Sequence, residues 1–203
     1  HWFHTYEGGE GNLTRHHAWL MTLIGKKLAA EGKYKEAIEA YKSGYTFPLC
    51  YGEEKNYFAQ ESHLGYGLAM AYKADGNKRE YEKALKSAMT DHAAPSEISY
   101  FRALAFYEAG EISAAHALCE EMIEAGKEKI RDKDVPAYYG VGSPCPCPFE
   151  YDFPKINTVK GLILEAFGEL GLGRVIEAKE HIAEAKKLDV TNFAVAMFEE
   201  FCK

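Results

Sequence analysis

Residues 24–44 read IGKKLAAEGKYKEAIEAYKSG, a pattern of two helical segments on either side of a glycine. Apolar and small residues recur at helical spacing on both sides, and Gly32 stands where the first segment would end. Glycine adopts positive φ without a steric penalty, so it can end a helix and let the chain turn back. Ala37 is a small residue where two helices would cross closely. The stretch therefore predicts two antiparallel helices joined by a tight turn.

The same pattern occurs three more times along the chain. The four turns lie in AEGKYKEAIEAY (30–41), ADGNKREYEKAL (74–85), EAGEISAAHALC (108–119) and GLGRVIEAKEHI (171–182). When they are aligned on Gly32, Gly76, Gly110 and Gly173, the residues five positions later are Ala37, Tyr81, Ala115 and Ala178. Four positions further on are Tyr41, Leu85, Cys119 and Ile182. Such internal repetition indicates an array of helix pairs in which each pair buries its apolar face against its neighbours.

The repeated pattern resembles the tetratricopeptide repeat, a helix–turn–helix unit of 34 residues with small residues at fixed places. The first unit carries the consensus residues Gly25, Leu28, Gly32, Ala37 and Tyr41. The fourth unit departs from the pattern, because Glu169 stands where an aromatic residue is expected. We therefore expect the first helix of that unit to be shifted. The resemblance implies an all-α, right-handed α-solenoid of about four such units.

The spacing of the marker glycines, 44, 34 and 63 residues, requires insertions between the units. We predict one tetratricopeptide-like domain over residues 1–203, with a long Pro-rich loop and a C-terminal capping helix. Its predicted parts are a lead-in (1–12), repeats 1 to 3 (13–45, 57–90 and 96–131), the loop insertion (132–156), repeat 4 (157–188) and the capping helix (191–203). The predicted helices span 13–31, 34–45, 57–75, 78–90, 96–109, 112–131, 157–172, 175–188 and 191–202. Their predicted N-caps include Thr14, Ser96, Thr158 and Thr191.

A closer resemblance covers nearly the whole chain. HTYEGGEGNLTRHHAWL (4–20), YGEEK (51–55), EISYFRALAFYEAGE (97–111) and AYYGVGSPCPCPFE (137–150) look like parts of one bacterial family. Its members are long proteins with an N-terminal part like a carbohydrate-related β-sandwich and a C-terminal tetratricopeptide-like array. The resemblance implies that this chain is the C-terminal array, which its start at His1 also favours. It also implies that the N-terminal domain of the parent protein is a candidate partner.

Composition argues against several classes of partner. The chain carries 24 Lys and Arg against 31 Asp and Glu, a formal net charge of -7, and its basic residues form no patch. We therefore expect no nucleic-acid partner. No apolar run reaches the length of a membrane helix, so we expect no membrane partner. Five cysteines, an odd number, favour reduced thiols and a cytoplasmic location.

Two clusters could suggest chemistry, and we interpret both as structural. The N-terminal histidines do not form a pair one helical turn apart with a third ligand beside it. The CPC sequence is not the C-x2-C spacing of zinc or redox motifs. These residues are His1, His4, His16, His17, Cys145 and Cys147. We predict no catalytic residue, metal site or cofactor, and hence that the protein is not an enzyme.

The leading hypothesis is a protein–protein or peptide interaction module. The resemblance implies that the first helix of each pair lines a concave groove, where aromatic side chains suit binding. The candidate groove residues are Trp19, Lys26, His63, Tyr66, Tyr100, Tyr107 and Phe167, with Tyr138 and Tyr139 from the loop. An equally open interpretation is that half of these side chains pack against the second helices or against the long loop. The alternatives are an accessory module of a carbohydrate-active protein, a homodimerising scaffold and, least favoured, a metal- or thiol-dependent enzyme.

Overall fold

The protein is described by a computed structural model that covers residues 11–54, 59–90, 93–132, 139–140, 143–144 and 152–202. Within these residues the fold is all-helical apart from one short β-pair. The helices are α1 (Asn12–Ala30), α2 (Tyr34–Ser43), α3 (Ser62–Ala74), α4 (Lys78–Met89), α5 (Ser99–Glu108), α6 (Ile112–Arg131), α7 (Phe153–Gly171), α8 (Val175–Leu188) and α9 (Phe193–Phe201). A 3₁₀ turn spans Leu49–Tyr51, and strands β1 (Tyr139–Gly140) and β2 (Ser143–Pro144) pair antiparallel.

The all-α prediction is confirmed, and each predicted helix has a counterpart in the described part of the chain. Two helix starts differ most. Helix α3 begins at Ser62 rather than at 57. Helix α7 begins at Phe153 rather than at 157, so the end of the predicted loop is helical. Proline is tolerated in the first turn of a helix, where the N–H that it lacks would have no intrahelical partner. Pro154 occupies that first turn, and the Asp152 side chain caps it by accepting from Lys155 N at 3.0 Å.

The four marker glycines adopt one conformation, as predicted. Their φ values are +75° at Gly32, +80° at Gly76, +81° at Gly110 and +75° at Gly173. In every turn the N–H of the next residue donates to a carbonyl five residues earlier. These bonds are Lys33 N to Leu28 O, 2.9 Å; Asn77 N to Tyr72 O, 2.9 Å; Glu111 N to Phe106 O, 2.8 Å; and Arg174 N to Glu169 O, 2.9 Å. This is the Schellman motif, which satisfies carbonyls at the end of a helix.

The predicted register also agrees with the pattern of burial. Five residues after the glycine, Ala37, Ala115 and Ala178 are completely buried. Four residues further on, Tyr41, Leu85, Cys119 and Ile182 are all buried. Only Tyr81 is half-buried, because its hydroxyl reaches Glu108 Oε1 at 2.7 Å. The fourth pair keeps the register, so the expected shift of its first helix is wrong. Glu169 accepts the same turn hydrogen bond as its counterparts, and its side chain is buried.

The described residues group into two compact units. The N-terminal unit contains α1 to α4 and Phe101–Glu111. Helices α1 and α2, and likewise α3 and α4, pack as pairs, and α2 and α1 also contact α3. The ring of Tyr41 fills a slot between Gly25 and Gly67. A Cβ at Gly25 would lie 2.6 Å from Tyr41 Cζ, and one at Gly67 would overlap the same ring. Two glycines therefore allow one buried tyrosine to tie α2 to α1 and α3.

The C-terminal unit contains Pro95–Tyr100 and the described residues from Ile112 onward. Its helices α6 and α7 pack along most of their length, and α7 also packs on α8. Their backbones approach closely at Gly126 and Gly161, because neither residue has a side chain. A Cβ at Gly161 would lie 2.5 Å from Gly126 O. The core includes Met122, Phe167 and Phe198, and the two phenylalanine rings meet edge to face at 5.3 Å.

The segment after α2 folds back onto the start of α1. The Glu53 carboxylate accepts from Gly11 N at 2.9 Å and from Thr14 N at 3.2 Å. His17 Nε2 donates to Ser43 O at 3.0 Å, and its Nδ1 forms a hydrogen bond with Tyr51 OH at 3.1 Å. A carboxylate at a helix N-terminus satisfies free N–H groups and complements the helix dipole. Part of the first insertion is thus a cap for α1.

The predicted N-caps need correction at three of the four positions. Thr14 is the third residue of α1, and Glu53 bonds the N–H groups there. Thr158 lies inside α7 and donates to Pro154 O at 2.8 Å. Thr191 precedes Asn192, whose side chain caps α9 by accepting from Ala194 N at 3.0 Å. Ser96 does accept a backbone N–H ahead of α5, from Ile98 at 3.1 Å.

Replacing Glu53 by alanine should destabilise the N-terminal unit by about 1 kcal/mol, because an N-capping interaction is lost. Urea unfolding of the full chain, followed by circular dichroism, measures the loss. Glu54→Ala is the matched control, since Glu54 is the exposed neighbour. Equal unfolding midpoints for the two variants would contradict the capping role.

Candidate functional site

Four of the predicted groove residues are core residues in the structure. Trp19, His63, Tyr100 and Phe167 are 1%, 1%, 9% and 0% exposed. In the N-terminal unit, the Trp19 ring lies 4.6 Å from that of His63 and 5.5 Å from that of Phe101. In the C-terminal unit, Tyr100 lies 5.6 Å from Phe167. This packing corrects the prediction that they line an exposed groove, because side chains buried this deeply present no surface to a ligand.

The other predicted groove residues either keep some exposed surface or have side chains outside the described part of the structure. Lys26, Tyr66 and Tyr107 are half-buried, so each keeps some surface. Tyr138 lies outside the described residues, and only the backbone of Tyr139 is described, in β1. The binding role of these five residues stays a prediction.

His63 is unusual because it is buried without a hydrogen bond. Neither ring nitrogen has a partner among the described residues, and the same is true of the neighbouring Ser62 Oγ. Burial lowers the pKa of His63 to about 3. The ring is therefore neutral at ordinary pH and serves as a packing element between Trp19 and Phe101. An unsatisfied buried polar group costs about 1–3 kcal/mol, so this position is a local weakness of the core.

A polar network connects three helices of the N-terminal unit. Glu108 of α5 accepts from Tyr81 OH of α4 at 2.7 Å and forms an ion pair with Lys73 of α3. The hydrogen bond from Lys73 is the main reason that the pKa of Glu108 is lowered, and Tyr81 adds to it. Desolvation, followed by the bond to Glu108, raises the pKa of Tyr81 to about 12. Because the charges of Lys73 and Glu108 compensate each other, we interpret the network as a structural contact between the three helices.

The C-terminal unit has an open cavity of about 340 Å³ beside the first turns of α7. Its apolar lining comes from Ile156, Val159 and Leu188, and its charged and polar lining from Asp152, Lys155, Lys160, Asp189 and Asn192. One wall is well ordered by hydrogen bonds. Asp189 accepts from Asn192 Nδ2 at 3.0 Å and from Thr191 Oγ1 at 3.1 Å. The lining thus combines three apolar side chains with five charged or polar ones, so it is more polar than that of the usual small-molecule pocket.

A second hollow, of about 410 Å³, lies within the insertion that follows α2. Tyr45, Phe47, Leu49 and Glu53 are among its lining residues. Leu49 is 87% exposed, so little of its side chain is covered. Glu53 is already engaged in capping α1, so its carboxylate is not available to a ligand in this hollow.

A charged cluster lies inside the C-terminal unit, where α7 packs between α6 and α8. Glu165 and Glu169 are one turn apart on α7, and both are 7% exposed. His181 of α8 places Nδ1 at 2.9 Å from Glu169 Oε2. No sequence motif pointed to this cluster, although Glu169 was singled out as a departure from the repeat pattern.

The sites considered for metal or thiol chemistry gain no geometric support. In the described part of the chain, no group of three His, Cys, Asp or Glu side chains is arranged to hold a metal ion. His1, His4, Cys145 and Cys147 lie outside that part. Cys50, Cys119 and Cys202 form no disulfide among the described residues, and Cys119 is buried. No helix in the described ranges is long and apolar enough to cross a membrane.

Comparison with protein-family models, with curated proteins and with solved structures finds no match to this chain. The tetratricopeptide resemblance accordingly depends on the repeated residues themselves. Any functional conclusion must come from the chemistry of the surfaces described above.

Proposed function

We propose that the protein is a tetratricopeptide-like array that binds a segment of another protein without catalysing a reaction. In this proposal the helix pairs form a right-handed solenoid of about four units in a cytoplasmic protein. The four Schellman turns of similar φ, with a small buried alanine at the same distance after three of the four glycines, support the repeat interpretation. A repeated fold does not by itself specify a ligand.

The observation that best supports binding is the cavity beside α7. In tetratricopeptide-like arrays the first helix of each pair carries the binding residues, and α7 is the first helix of the fourth pair. Ile156, Val159 and Leu188 offer an apolar floor, and Lys155 and Asp189 offer charges of both signs. A volume of about 340 Å³ is near the lower end for a binding pocket, so it suits one side chain of a partner.

The partner that fits this cavity is a peptide segment with one apolar side chain flanked by charged residues. The apolar side chain would occupy the floor, and its charged neighbours would meet Lys155 and Asp189. The N-terminal domain of the parent protein is a natural source of such a segment, because it would be present at high effective concentration on the same chain. Lys26, Tyr66 and Tyr107 are proposed as additional contacts in the N-terminal unit.

A peptide-display selection on the full chain, followed by affinity measurement with one selected peptide, tests the proposal. Lys155→Glu and Ile156→Ala should each weaken binding about tenfold, which corresponds to about 1.4 kcal/mol. Lys179→Glu is the matched control, because Lys179 is an exposed α8 residue that does not line the cavity. A selection that yields no binder, or equal affinities for all three variants, would overturn it. Circular dichroism establishes that each variant is folded.

A further inference from the structure

The charged cluster of the fourth helix pair can be compared with the residues at the same positions in the other three pairs. Glu165, Glu169 and His181 lie eight and four residues before Gly173 and eight residues after it. The corresponding residues are Ile24, Leu28 and Ala40 in the first pair, Leu68, Tyr72 and Ala84 in the second, and Arg102, Phe106 and Leu118 in the third. Eight of these nine residues are apolar or aromatic. The helix pair therefore forms without a carboxylate or a histidine at these positions, and the fourth pair is the exception.

Glu165 is the member of the cluster whose surroundings are least favourable to a negative charge. Glu165 is 7% exposed, and its carboxylate has no hydrogen bond within the described residues. Its side chain packs where α6 and α7 approach closely, since a Cβ at Gly126 would lie 2.7 Å from Glu165 Cγ. Glu169, by contrast, is compensated by His181 Nδ1 at 2.9 Å.

The groups that face Glu165 come from all three helices around it. Helix α6 contributes Glu124 and Lys127, α7 contributes Glu169, and α8 contributes His181. Glu124 is partly engaged elsewhere, because it bonds Arg131 at 3.0 Å and lies 3.9 Å from Lys127. Burial is the main reason that the pKa of Glu165 is raised. His181 opposes that rise, and Glu169 adds to it.

We propose that Glu165, Glu169 and His181 form a proton-binding cluster that holds α7 tightly against α6 and α8 at mildly acidic pH and loosens this packing as the pH rises. While the Glu165 carboxyl is protonated, Glu169 is the one carboxylate of the buried pair, and it lies against His181 Nδ1. When Glu165 ionises as the pH rises, a second negative charge is placed one turn away from Glu169. The cluster then holds two buried negative charges one turn apart, which is unfavourable.

The direction of the pH effect follows from proton linkage. A glutamate with a raised pKa binds more protons in the folded state than in the unfolded state. The stability that it contributes is therefore present at low pH and lost as the pH rises from the unfolded pKa through the folded pKa. Each pH unit of that window changes the unfolding equilibrium constant by about tenfold. The proton binding is independent of whether the protein binds a peptide.

Hydrogen exchange of the α7 amides in the full chain, corrected for the intrinsic pH dependence of exchange, tests the proposal. We expect protection of residues 159–171 to fall as the pH rises from about 5 to about 8, by about tenfold for each pH unit between the unfolded and folded pKa of Glu165. Glu165→Gln should remove most of that fall, and Glu180→Gln, at an exposed α8 position, should leave it unchanged. Protection that does not depend on pH in the parent chain, or that depends on it equally in Glu165→Gln, would overturn the proposal.

A triple variant keeps the test informative if Glu165→Gln simply fails to fold. Glu165→Leu, Glu169→Tyr and His181→Ala together copy the residues of the second helix pair, Leu68, Tyr72 and Ala84, none of which is a carboxylate or a histidine. Replacing a buried ionic group by well-packed apolar residues is often neutral or stabilising. This variant should be at least as protected as the parent at pH 8 and show no pH-dependent loosening. Titration of the Glu165 carboxyl by ¹³C NMR alongside the exposed glutamates would contradict the inference.

Discussion

The Gly161→Ala variant is expected to lose about 3 kcal/mol of unfolding free energy in the C-terminal unit. In an open helix, the same change would stabilise by about 0.5–1 kcal/mol, because alanine has less freedom to lose than glycine. At Gly161 the new Cβ would lie 2.5 Å from Gly126 O, 2.6 Å from Ile130 Cγ1 and 3.2 Å from Ile130 N. Two of these atoms belong to the α6 backbone, so no change of rotamer removes the overlap and the helices must separate.

Urea unfolding by circular dichroism measures this loss, with Lys179→Ala as the control at an exposed helical position. Gly126→Ala should be similarly destabilising, because its Cβ would lie 2.7 Å from Gly161 O. A Gly161→Ala variant as stable as the parent would show that α6 and α7 can separate without a loss of packing. That result would contradict the close backbone contact described here.

The second large effect is expected at Tyr41, where Tyr41→Ala should destabilise the N-terminal unit by about 3–5 kcal/mol. The ring is 4% exposed and lies between Gly25 of α1 and Gly67 of α3. Its removal leaves a cavity between three helices, and glycines on both sides have no side chains to fill it. Tyr41→Phe keeps the ring and should cost less than about 1.5 kcal/mol, so comparison of the two variants separates packing from the hydroxyl.

A double-mutant cycle tests whether the effect of Tyr41→Ala arises from the contact of its ring with Gly67. Gly67→Ala alone should destabilise, because the new Cβ overlaps the Tyr41 ring. In the Tyr41→Ala background the same methyl enters the cavity, so the cost of Gly67→Ala should fall sharply. Thermal unfolding of the parent, both single variants and the double variant gives the coupling energy. Additive effects would mean that Tyr41 and Gly67 do not share a contact.

The features that could be predicted from the sequence depend on local rules. Gly32, Gly76, Gly110 and Gly173 take positive φ because that conformation is open mainly to glycine, and the next helix begins within two residues. Once the turns are fixed, helical spacing determines which residues face inward. Ala37, Ala115 and Ala178 are therefore buried where the pattern placed them.

Contacts between distant residues could not be predicted in this way. Glu53 caps α1 from 42 residues away, and nothing local distinguishes it from the exposed Glu54. The groove prediction failed for Trp19 and Phe167 because one helix face does not reveal what packs against it. The expected shift at Glu169 also failed, because its contact with His181 fills the position that Tyr72 and Phe106 occupy in the second and third pairs.

The four turns exclude side chains for an unusual reason. A Cβ built on Gly32, Gly76, Gly110 or Gly173 would meet no atom within 4 Å, so space is freely available at each. What forbids an ordinary residue is the handedness of L-amino acids, for which this backbone conformation is strained. A D-alanine favours positive φ and would restrict the unfolded chain, a change typically worth about 0.4–1 kcal/mol at a compatible site. At these four turns, a D-amino acid is therefore expected to fit the native backbone better than any L-amino acid that carries a side chain.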